Sequence, residues 1–371
     1  MASVSLKNVS KIYPGRKRAD VVAVRDISLD IHEREFVVLT GPSGCGKSSV
    51  VRMIAGLEEI SKGEILLGDR RVNDVAPKDR DLALVAGNHA LYPGMSVYDN
   101  LAFPLTLRKF SKAEIKKRVA SAAGLVELQE LLEGRPESLS AVERQRVALG
   151  RALARQPKIF LFDAPFANLE AAESARMRAL VKKLRQRVPA TIIYATGDPV
   201  EAMAMGERII VMNNGVIEQD GGGARVYREP ANMFVAGFLG SPPMNLIHGA
   251  LKLERDSILF SEAQDGTIKL RLAILDFPGA KEFVGSPVVL GLRPEDIQIA
   301  QASSSTSFAA IVNLVEPLGA TADLHLQTGA HSIVSRNWEG IDGVEAGHRS
   351  EFEANPRKVH LFDPSSGRRI T

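Results

Sequence analysis

The chain has 371 residues, of which 45% are hydrophobic and 25% are charged, with a formal net charge of +3. This length indicates two or three domains with a substantial core, and the balance of hydrophobic and charged residues excludes wholesale disorder. The small net charge does not demand a nucleic-acid partner, and the single cysteine excludes internal disulfides and a cysteine-rich zinc module.

The first part of the chain, residues 1–235, alternates short apolar runs with helical patterns. This alternation is typical of an α/β fold built around a largely parallel sheet. Three apolar runs predict buried strands, at residues 36–39, 159–162 and 191–194.

A helical insertion is predicted at about residues 100–150. Ser111 and Glu114 have the spacing of a capping box, in which each side chain satisfies the other residue's backbone donor. The apolar residues that follow share one face of a helix: Ile115, Val119, Ala122 and Val126.

The composition changes near residues 235–245, where Pro242 and Pro243 mark a linker. Beyond it lie short β-type runs, at residues 288–290, 309–312, 324–326 and 332–334. Short strands at this spacing predict a small β-barrel domain over residues 236–371.

A phosphate-binding loop is predicted at residues 41–48, which match the pattern G-x-x-x-x-G-K-[ST] between a predicted strand and a predicted helix. Its glycines let successive backbone N–H groups turn toward phosphate oxygens, and the helix directs its positive end at the same anion. Lys47 adds a cation for the β- and γ-phosphates. The predicted nucleotide-binding residues of this segment are Gly41, Ser43, Gly44, Cys45, Gly46, Lys47, Ser48 and Ser49.

Two further residues complete the predicted Mg-ATP site. Asp163 ends a predicted central strand, where a carboxylate can join the Ser48 hydroxyl in binding Mg²⁺, a cation that prefers oxygen ligands. Tyr13 is placed to stack on adenine, although a lone tyrosine is often a packing residue. Cys45 has no acid–base partner in the sequence and is interpreted as a small filler residue.

These motifs resemble those of the ATP-binding subunits of ABC transporters, in particular the full-length subunits of maltose-type sugar importers. The resemblance covers essentially the whole chain. It depends on the phosphate loop and on residues 91–93, 139–140, 144–152, 163, 168–169 and 200–203. In the second domain, residues 234–242 and 291–296 resemble sugar-importer tails, which fold as oligonucleotide-binding-like barrels for regulation and dimerisation.

The resemblance implies a head-to-tail homodimer or heterodimer, with each ATP held between one subunit's phosphate loop and the other's signature helix. It also implies two membrane permease subunits and a solute-binding protein, and no nucleic acid. No apolar run approaches the ~18 residues of a membrane span, and the start of the chain lacks the apolar core of a signal peptide. We therefore expect a cytoplasmic protein that is peripheral on the inner face of the membrane.

The departures from the family pattern fall on its catalytic positions. Where the family has a water-activating glutamate, a switch histidine and a coupling glutamine, this chain has Ala164, Gly197 and Gly87. The signature Leu-Ser-Gly-Gly-Gln is altered at its last three positions, which leaves Ser140, Ala141, Val142 and Glu143 to face ATP across the dimer.

Each departure has a physical cost. Losing a general base typically costs about 10²–10⁴ in rate. Losing one preorganised donor costs about 2.7–4 kcal/mol. Ala141 and Val142 place β-carbons where bare backbone approaches phosphate, and valine tolerates positive φ poorly. Glu143 brings a carboxylate close to a negatively charged ligand.

These features predict a subunit that binds Mg-ATP but hydrolyses it weakly or not at all. One alternative is an active importer ATPase that uses compensating residues, although nothing in the spacing makes His89 a substitute base. A second alternative is a non-catalytic assembly or regulatory protein.

Overall fold

The computed structural model describes residues 2–15, 19–87, 91–255, 257–300, 306–337 and 344–371. His89, considered above as a substitute base, lies outside them. The chain divides into two compact units, Met1–Ala224 and Arg225–Thr371. Among the helices of the described residues, none combines the length and the apolar composition needed to cross a bilayer.

The first unit contains two sheets. Its strands are β1 Val4–Tyr13, β2 Val21–Ile31, β3 Phe36–Thr40, β4 Lys62–Leu67, β5 Arg70–Arg71, β6 Leu82–Ala86, β7 Ile159–Asp163, β8 Thr191–Thr196, β9 Arg208–Asn213 and β10 Val216–Gly222. The larger sheet has the order β10-β9-β3-β8-β7-β6 and is parallel except for β10. The prediction of a largely parallel sheet is confirmed, and the three predicted strands are β3, β7 and β8.

The smaller sheet has the order β2-β1-β4-β5, with antiparallel pairing throughout. It is not predicted above. Register shifts interrupt the pairing of β1 with β2, so polar and apolar residues do not alternate cleanly along these strands.

The helices of the first unit are α1 Lys47–Ala55, α2 Val97–Leu107, α3 Lys112–Leu125, α4 Ala141–Ala154, α5 Ala171–Arg187 and α6 Pro199–Met205. Along α3, the predicted apolar face is buried at Val119, Ala122 and the C-capping Val126. The predicted capping box is only half correct. Ser111 Oγ accepts the N–H of Glu114 at 3.3 Å, whereas the Glu114 carboxylate pairs with Arg118 Nε at 2.6 Å.

The second unit is built from antiparallel strands around a large apolar core, beside which lies a smaller apolar cluster. Helix α7 Gly223–Arg228 runs across the boundary between the units, and α8 Met233–Phe238 follows. The strands are β11 Asn245–Glu254, β12 Ser257–Glu262, β13 Lys269–Ala273, β14 Pro287–Leu292, β15 Ile297–Ile299, β16 Ser307–Pro317, β17 Ala322–Gln327, β18 Ser332–Asn337, β19 Arg349–Ala354, β20 His360–Phe362 and β21 Arg369–Ile370. The four predicted β-type runs lie in β14, β16, β17 and β18.

These strands form a six-stranded sheet, β13-β12-β11-β14-β20-β21, and a five-stranded sheet, β15-β19-β16-β17-β18. Phe260 and Leu290 from the first sheet and Phe308 and Phe352 from the second are buried in the same core. The expected β-barrel domain is therefore confirmed as a β-rich unit with inward-facing apolar side chains.

Arg293 explains why the segment 291–296 stands out in the sequence. Its guanidinium is buried, donates to the carbonyl oxygens of Ala236, Leu239 and Tyr227, and lies 3.8 Å from the centre of the Tyr227 ring. Burial lowers the pKa of this arginine. The residue therefore ties the segment before the first barrel strand to the end of β14.

Candidate nucleotide site

The phosphate loop, residues 41–48, connects β3 to α1 and needs glycine for two physical reasons. Gly41, Gly44 and Gly46 have φ values of 145°, 80° and 107°, which L-residues with a Cβ rarely adopt. A Cβ at Gly41 would also lie 2.1 Å from the carbonyl oxygen of Met212, and one at Gly46 would lie 2.4 Å from that of Ala23. The tight loop therefore depends on bare backbone at both ends.

The N-terminus of α1 is open to an anion. Its N-cap, Gly46, has no side chain to bind the first N–H groups, and no acidic residue lies in the first turn. A helix start of this kind offers free donors and the positive end of the helix dipole. Ser43 and Gly44 form the exposed tip of the loop.

Lys47 rests on the loop itself. Its side chain is largely buried, and Nζ donates to the carbonyl oxygens of Gly41 at 2.7 Å and Pro42 at 2.9 Å. The buried thiol of Cys45 lies 3.4 Å from the same nitrogen. The ammonium is therefore held at the loop by carbonyl groups that it can exchange for phosphate oxygens.

Ser48 and Asp163 lie side by side, as the predicted metal site requires. Ser48 Oγ donates to Asp163 Oδ1 at 2.7 Å, and Arg52 Nε lies 3.7 Å from Oδ2. Hydroxyl and carboxylate oxygens suit Mg²⁺. Among the described residues no group of three His, Cys, Asp or Glu side chains is placed to hold a metal. The pair therefore fits a magnesium ion whose remaining ligands are phosphate and water oxygens.

Tyr13, at the end of β1, is joined to a second predicted nucleotide residue. Its hydroxyl lies 3.0 Å from Ser49 Oγ and donates to the Glu58 carboxylate, while Lys11 Nζ lies 4.8 Å from the ring centre. Burial, followed by the Glu58 hydrogen bond, raises the pKa of the Tyr13 phenol. Stacking of this ring on adenine stays a prediction.

The three positions at which the resemblance predicts catalytic side chains lie at one edge of the parallel sheet. Gly87 directly follows β6, Ala164 follows β7 and Gly197 follows β8. Since these strands are parallel neighbours, their carboxyl ends meet at the same edge, next to Asp163 and the loop after β3. The sheet order therefore brings these three positions together with Asp163 and the phosphate loop, whereas Tyr13 lies on β1 of the smaller sheet and residues 140–143 lie at the start of α4.

The two glycine positions, 197 and 87, differ in the space that they leave for a side chain. A Cβ at Gly197 would meet only the Gly41 carbonyl oxygen, at 3.7 Å, an ordinary contact distance. A Cβ at Gly87 would lie 2.6 Å from the carbonyl oxygen of Ala164, which itself adopts a φ of +43°. Position 197 therefore has room for a side chain, whereas position 87 has none unless the segment at 164 moves.

Glu201 is a buried acid near this edge whose interactions the sequence did not predict. One carboxylate oxygen accepts the Tyr194 hydroxyl and the other accepts Thr196 Oγ1. Burial and the neighbouring carboxylate strongly raise the pKa of Tyr194. Both oxygens of Glu201 are thus engaged in bracing the end of β8 just before Gly197.

The altered signature segment forms a capping box at the start of α4. Ser140 N and Ser140 Oγ each donate to Glu143 Oε2 at 2.8 Å, and Glu143 N donates to Ser140 Oγ at 3.3 Å. Ala141 and Val142 are the first two helical residues, so the positive-φ strain expected at Val142 is absent and that expectation is wrong. The N-terminus of α4 is therefore covered by a carboxylate of its own chain.

Replacing Glu143 with alanine should destabilise the first unit by about 1 kcal/mol, because a capping interaction is lost. The Ser140 hydrogen bonds lower the pKa of Glu143 from 4.5. This contribution is therefore present at neutral pH and is lost as the pH falls through the lowered pKa. Urea denaturation at pH 7 and pH 3 measures both effects. Glu130→Ala, at an exposed position, is the matched control, and equal stability of the Glu143 variant would contradict the cap.

Comparison with known proteins gives three family matches. Residues 24–167 match the ABC transporter family, residues 240–297 the MalK OB fold domain and residues 290–362 the TOBE domain. The ATP-binding cassette MJ0796, solved as a dimer bound to ADP and Pi, aligns at a TM-score of 0.53 and 31% identity. That alignment covers 59% of this chain and 98% of the cassette.

Full-length relatives align over the whole of both chains. The trehalose/maltose import ATP-binding protein MalK of Thermococcus litoralis is 44% identical. The oligosaccharides import ATP-binding protein MsmX of Bacillus subtilis and the sn-glycerol-3-phosphate import ATP-binding protein UgpC of Cupriavidus pinatubonensis are each 43% identical.

Proposed function

Because this chain belongs to the ATP-binding proteins of ABC transporters, in the group that includes MalK, MsmX and UgpC, we propose that it serves a carbohydrate importer by binding Mg-ATP while hydrolysing it weakly or not at all. The relatives' names support the carbohydrate importer. The separation of binding from hydrolysis is supported by the residues of the site.

Binding is supported by the groups that contact phosphate and metal. The open N-terminus of α1, Lys47 on the loop carbonyls and the Ser48–Asp163 pair together provide donors, a cation and oxygen ligands. When bound, Mg²⁺ would neutralise charge on the phosphates. Ser48 and Asp163 would hold it.

Weak hydrolysis is supported by one observation above all. At the sheet edge beside Asp163, the residues that follow β6, β7 and β8 are Gly87, Ala164 and Gly197, none of which can accept or donate a side-chain proton. The missing general base alone is expected to cost about 10²–10⁴ in rate. A missing donor to the phosphoryl group costs a further ~2.7–4 kcal/mol when it acts independently.

The dimer interface would add to this loss. In a head-to-tail dimer, the segment 139–143 would face the partner's γ-phosphate, where Glu143 would present a carboxylate to an anion. A homodimer would carry the base, donor and signature defects in both sites. A heterodimer with an intact partner would have the altered catalytic residues in one site and the altered signature in the other. Neither arrangement leaves one site fully equipped.

The permease partners are supported by a cleft in the first unit of about 780 Å³. Tyr92, Phe103 and Leu107 give it an apolar wall, Leu107 being 67% exposed. Its charged lining is mixed, because Arg108 lies 3.9 Å from Asp81. A permease segment with apolar and charged side chains would fit this cleft and would hold the chain on the inner face of the membrane. The solute itself would contact the permease and the solute-binding protein.

Single-turnover hydrolysis of Mg-ATP, with protein in excess over labelled ATP, tests the proposal. We expect ATP to be recovered bound and intact, at a conversion no higher than that of the Lys47→Ala control. Turnover well above that control would support the alternative of an active importer ATPase. Failure to bind ATP at all would support the alternative of a non-catalytic assembly or regulatory protein.

A further inference from the structure

A cavity of about 420 Å³ lies in the second unit and combines an apolar floor with a basic rim. Phe277, Val359 and Ile370 contribute to the floor, and Arg228, Arg357 and Arg369 supply the positive charge. An adjoining cavity of about 330 Å³ shares Arg228 and Arg357 with it. An apolar pocket with a few convergent charged groups is typical of a small-molecule site.

The arginines of the rim form no ion pairs among the described residues. Within the part of the chain that the structure describes, no carboxylate lies within ion-pair distance of Arg228, Arg357 or Arg369. The Nε of Arg369 is buried and has no hydrogen-bond partner. Buried donors are normally satisfied, so an unsatisfied guanidinium nitrogen beside a cavity points to an acceptor from a ligand.

The acids near the two cavities are mostly engaged elsewhere. Asp296 pairs with Lys358 at 2.7 Å, Glu295 accepts the Tyr227 hydroxyl at 2.6 Å, and Glu229 pairs with Arg225 at 3.3 Å. Asp276 also lines the larger cavity and is exposed at its mouth. Because these three acids bind other groups, they balance the positive charge of the three arginines only in part.

His360 lines both cavities, and its pKa is affected by the nearby arginines. Burial and, after it, the positive charges of Arg369 and Arg293 together lower its pKa to about 4, against an opposing effect of Glu229. The imidazole is therefore neutral at neutral pH. It offers a hydrogen bond at the cavity wall without adding charge.

We propose that this cavity binds a small organic phosphate, whose dianionic group meets Arg228, Arg357 and Arg369 and whose carbon body lies on the apolar floor. Arginine presents a planar fork of donors that matches phosphate oxygens in pairs. The three arginines outnumber Glu229 and Asp276, the two acidic side chains that line the cavity. The volume of the cavity exceeds that of free phosphate and suits a phosphorylated sugar. This site is independent of the phosphate loop and goes beyond the proposed function.

Isothermal titration calorimetry on the full chain tests the proposal, with glucose 6-phosphate, inorganic phosphate and glucose as the probes. The Lys47→Ala background weakens phosphate binding at the nucleotide site. We expect glucose 6-phosphate to bind at least about tenfold more tightly than inorganic phosphate, and glucose to give no measurable heat. Equal affinity for the ester and for inorganic phosphate would overturn the role of the apolar floor.

Single substitutions locate the site. Arg357→Ala and Arg228→Ala should each weaken binding of glucose 6-phosphate at least about tenfold, since each removes a charge-assisted contact. Arg349→Ala on β19 is the matched control, because this arginine is exposed on the same unit and does not line the cavity. Both test arginines are exposed, so the thermal transition should stay unchanged. Undiminished binding in both test variants would overturn the proposal.

Discussion

Replacing Lys47 with alanine should lower the affinity of the chain for Mg-ATP by about 100-fold, because charge-assisted hydrogen bonds to the β- and γ-phosphates are worth ~1.5–3 kcal/mol each. In the structure, Lys47 Nζ is held by the carbonyl oxygens of Gly41 and Pro42, so the cation is already positioned at the loop. Equilibrium titration with a fluorescent ATP analogue measures the change.

Lys62→Ala provides the control for the loss of one positive charge, since Lys62 is exposed on β4 away from the loop. That variant should bind Mg-ATP as the unaltered chain does. Unchanged affinity in the Lys47 variant would contradict the proposed site. A lower melting temperature for Lys47→Ala alone would not, because Nζ also stabilises the loop when ATP is absent.

Restoring three of the family's side chains together should raise ATP turnover by about 10³-fold, whereas Ala164→Glu alone should raise it less than about tenfold. The restored chain carries Ala164→Glu, Gly197→His and Glu143→Gln. A general base and a donor act on one transition state, so their effects are strongly non-additive. Steady-state phosphate release measures the turnover, with Lys47→Ala added to the restored chain as the control.

The structure indicates which positions can accept these side chains. At position 197 a β-carbon would meet only the Gly41 carbonyl oxygen, at 3.7 Å, so a side chain can begin there without displacing backbone. Position 87 is left as glycine in this design, because a Cβ there would lie 2.6 Å from the Ala164 carbonyl oxygen. A large recovery with Ala164→Glu alone would show that Gly197 and the segment 139–143 contribute less than proposed.

The central strands of the parallel sheet were predictable because they form continuous apolar runs in the sequence. Strands β3, β7 and β8 are continuous apolar runs because both faces of the parallel sheet are covered, and such runs are visible in any single sequence. The sheet β2-β1-β4-β5 was missed, because its strands have one exposed face and shifted registers. One of its three pairings, β1 with β4, also joins strands that are far apart along the chain.

The site was predictable in its composition and only partly in its contacts. The loop pattern and the position of Asp163 at a strand end correctly placed Ser48 beside a carboxylate. The capping box at Ser140 and Glu143 has a visible S-x-x-E spacing. The same residues occupy the position of the family's signature, so they were interpreted as a segment that faces phosphate rather than as a helix cap. The close approach of Gly87 to Ala164 depends on two loops that are distant in sequence, so no local sequence pattern predicts it.

That close approach also constrains how the sequence can change over time. From the present chain, a mutation that restores a side chain at position 87 meets the Ala164 carbonyl oxygen before any catalytic benefit arises. A substitution at position 87 therefore depends on a rearrangement of the loop after β7. The order of substitutions matters, because the backbone at position 164 has to move before a side chain at position 87 can be accommodated.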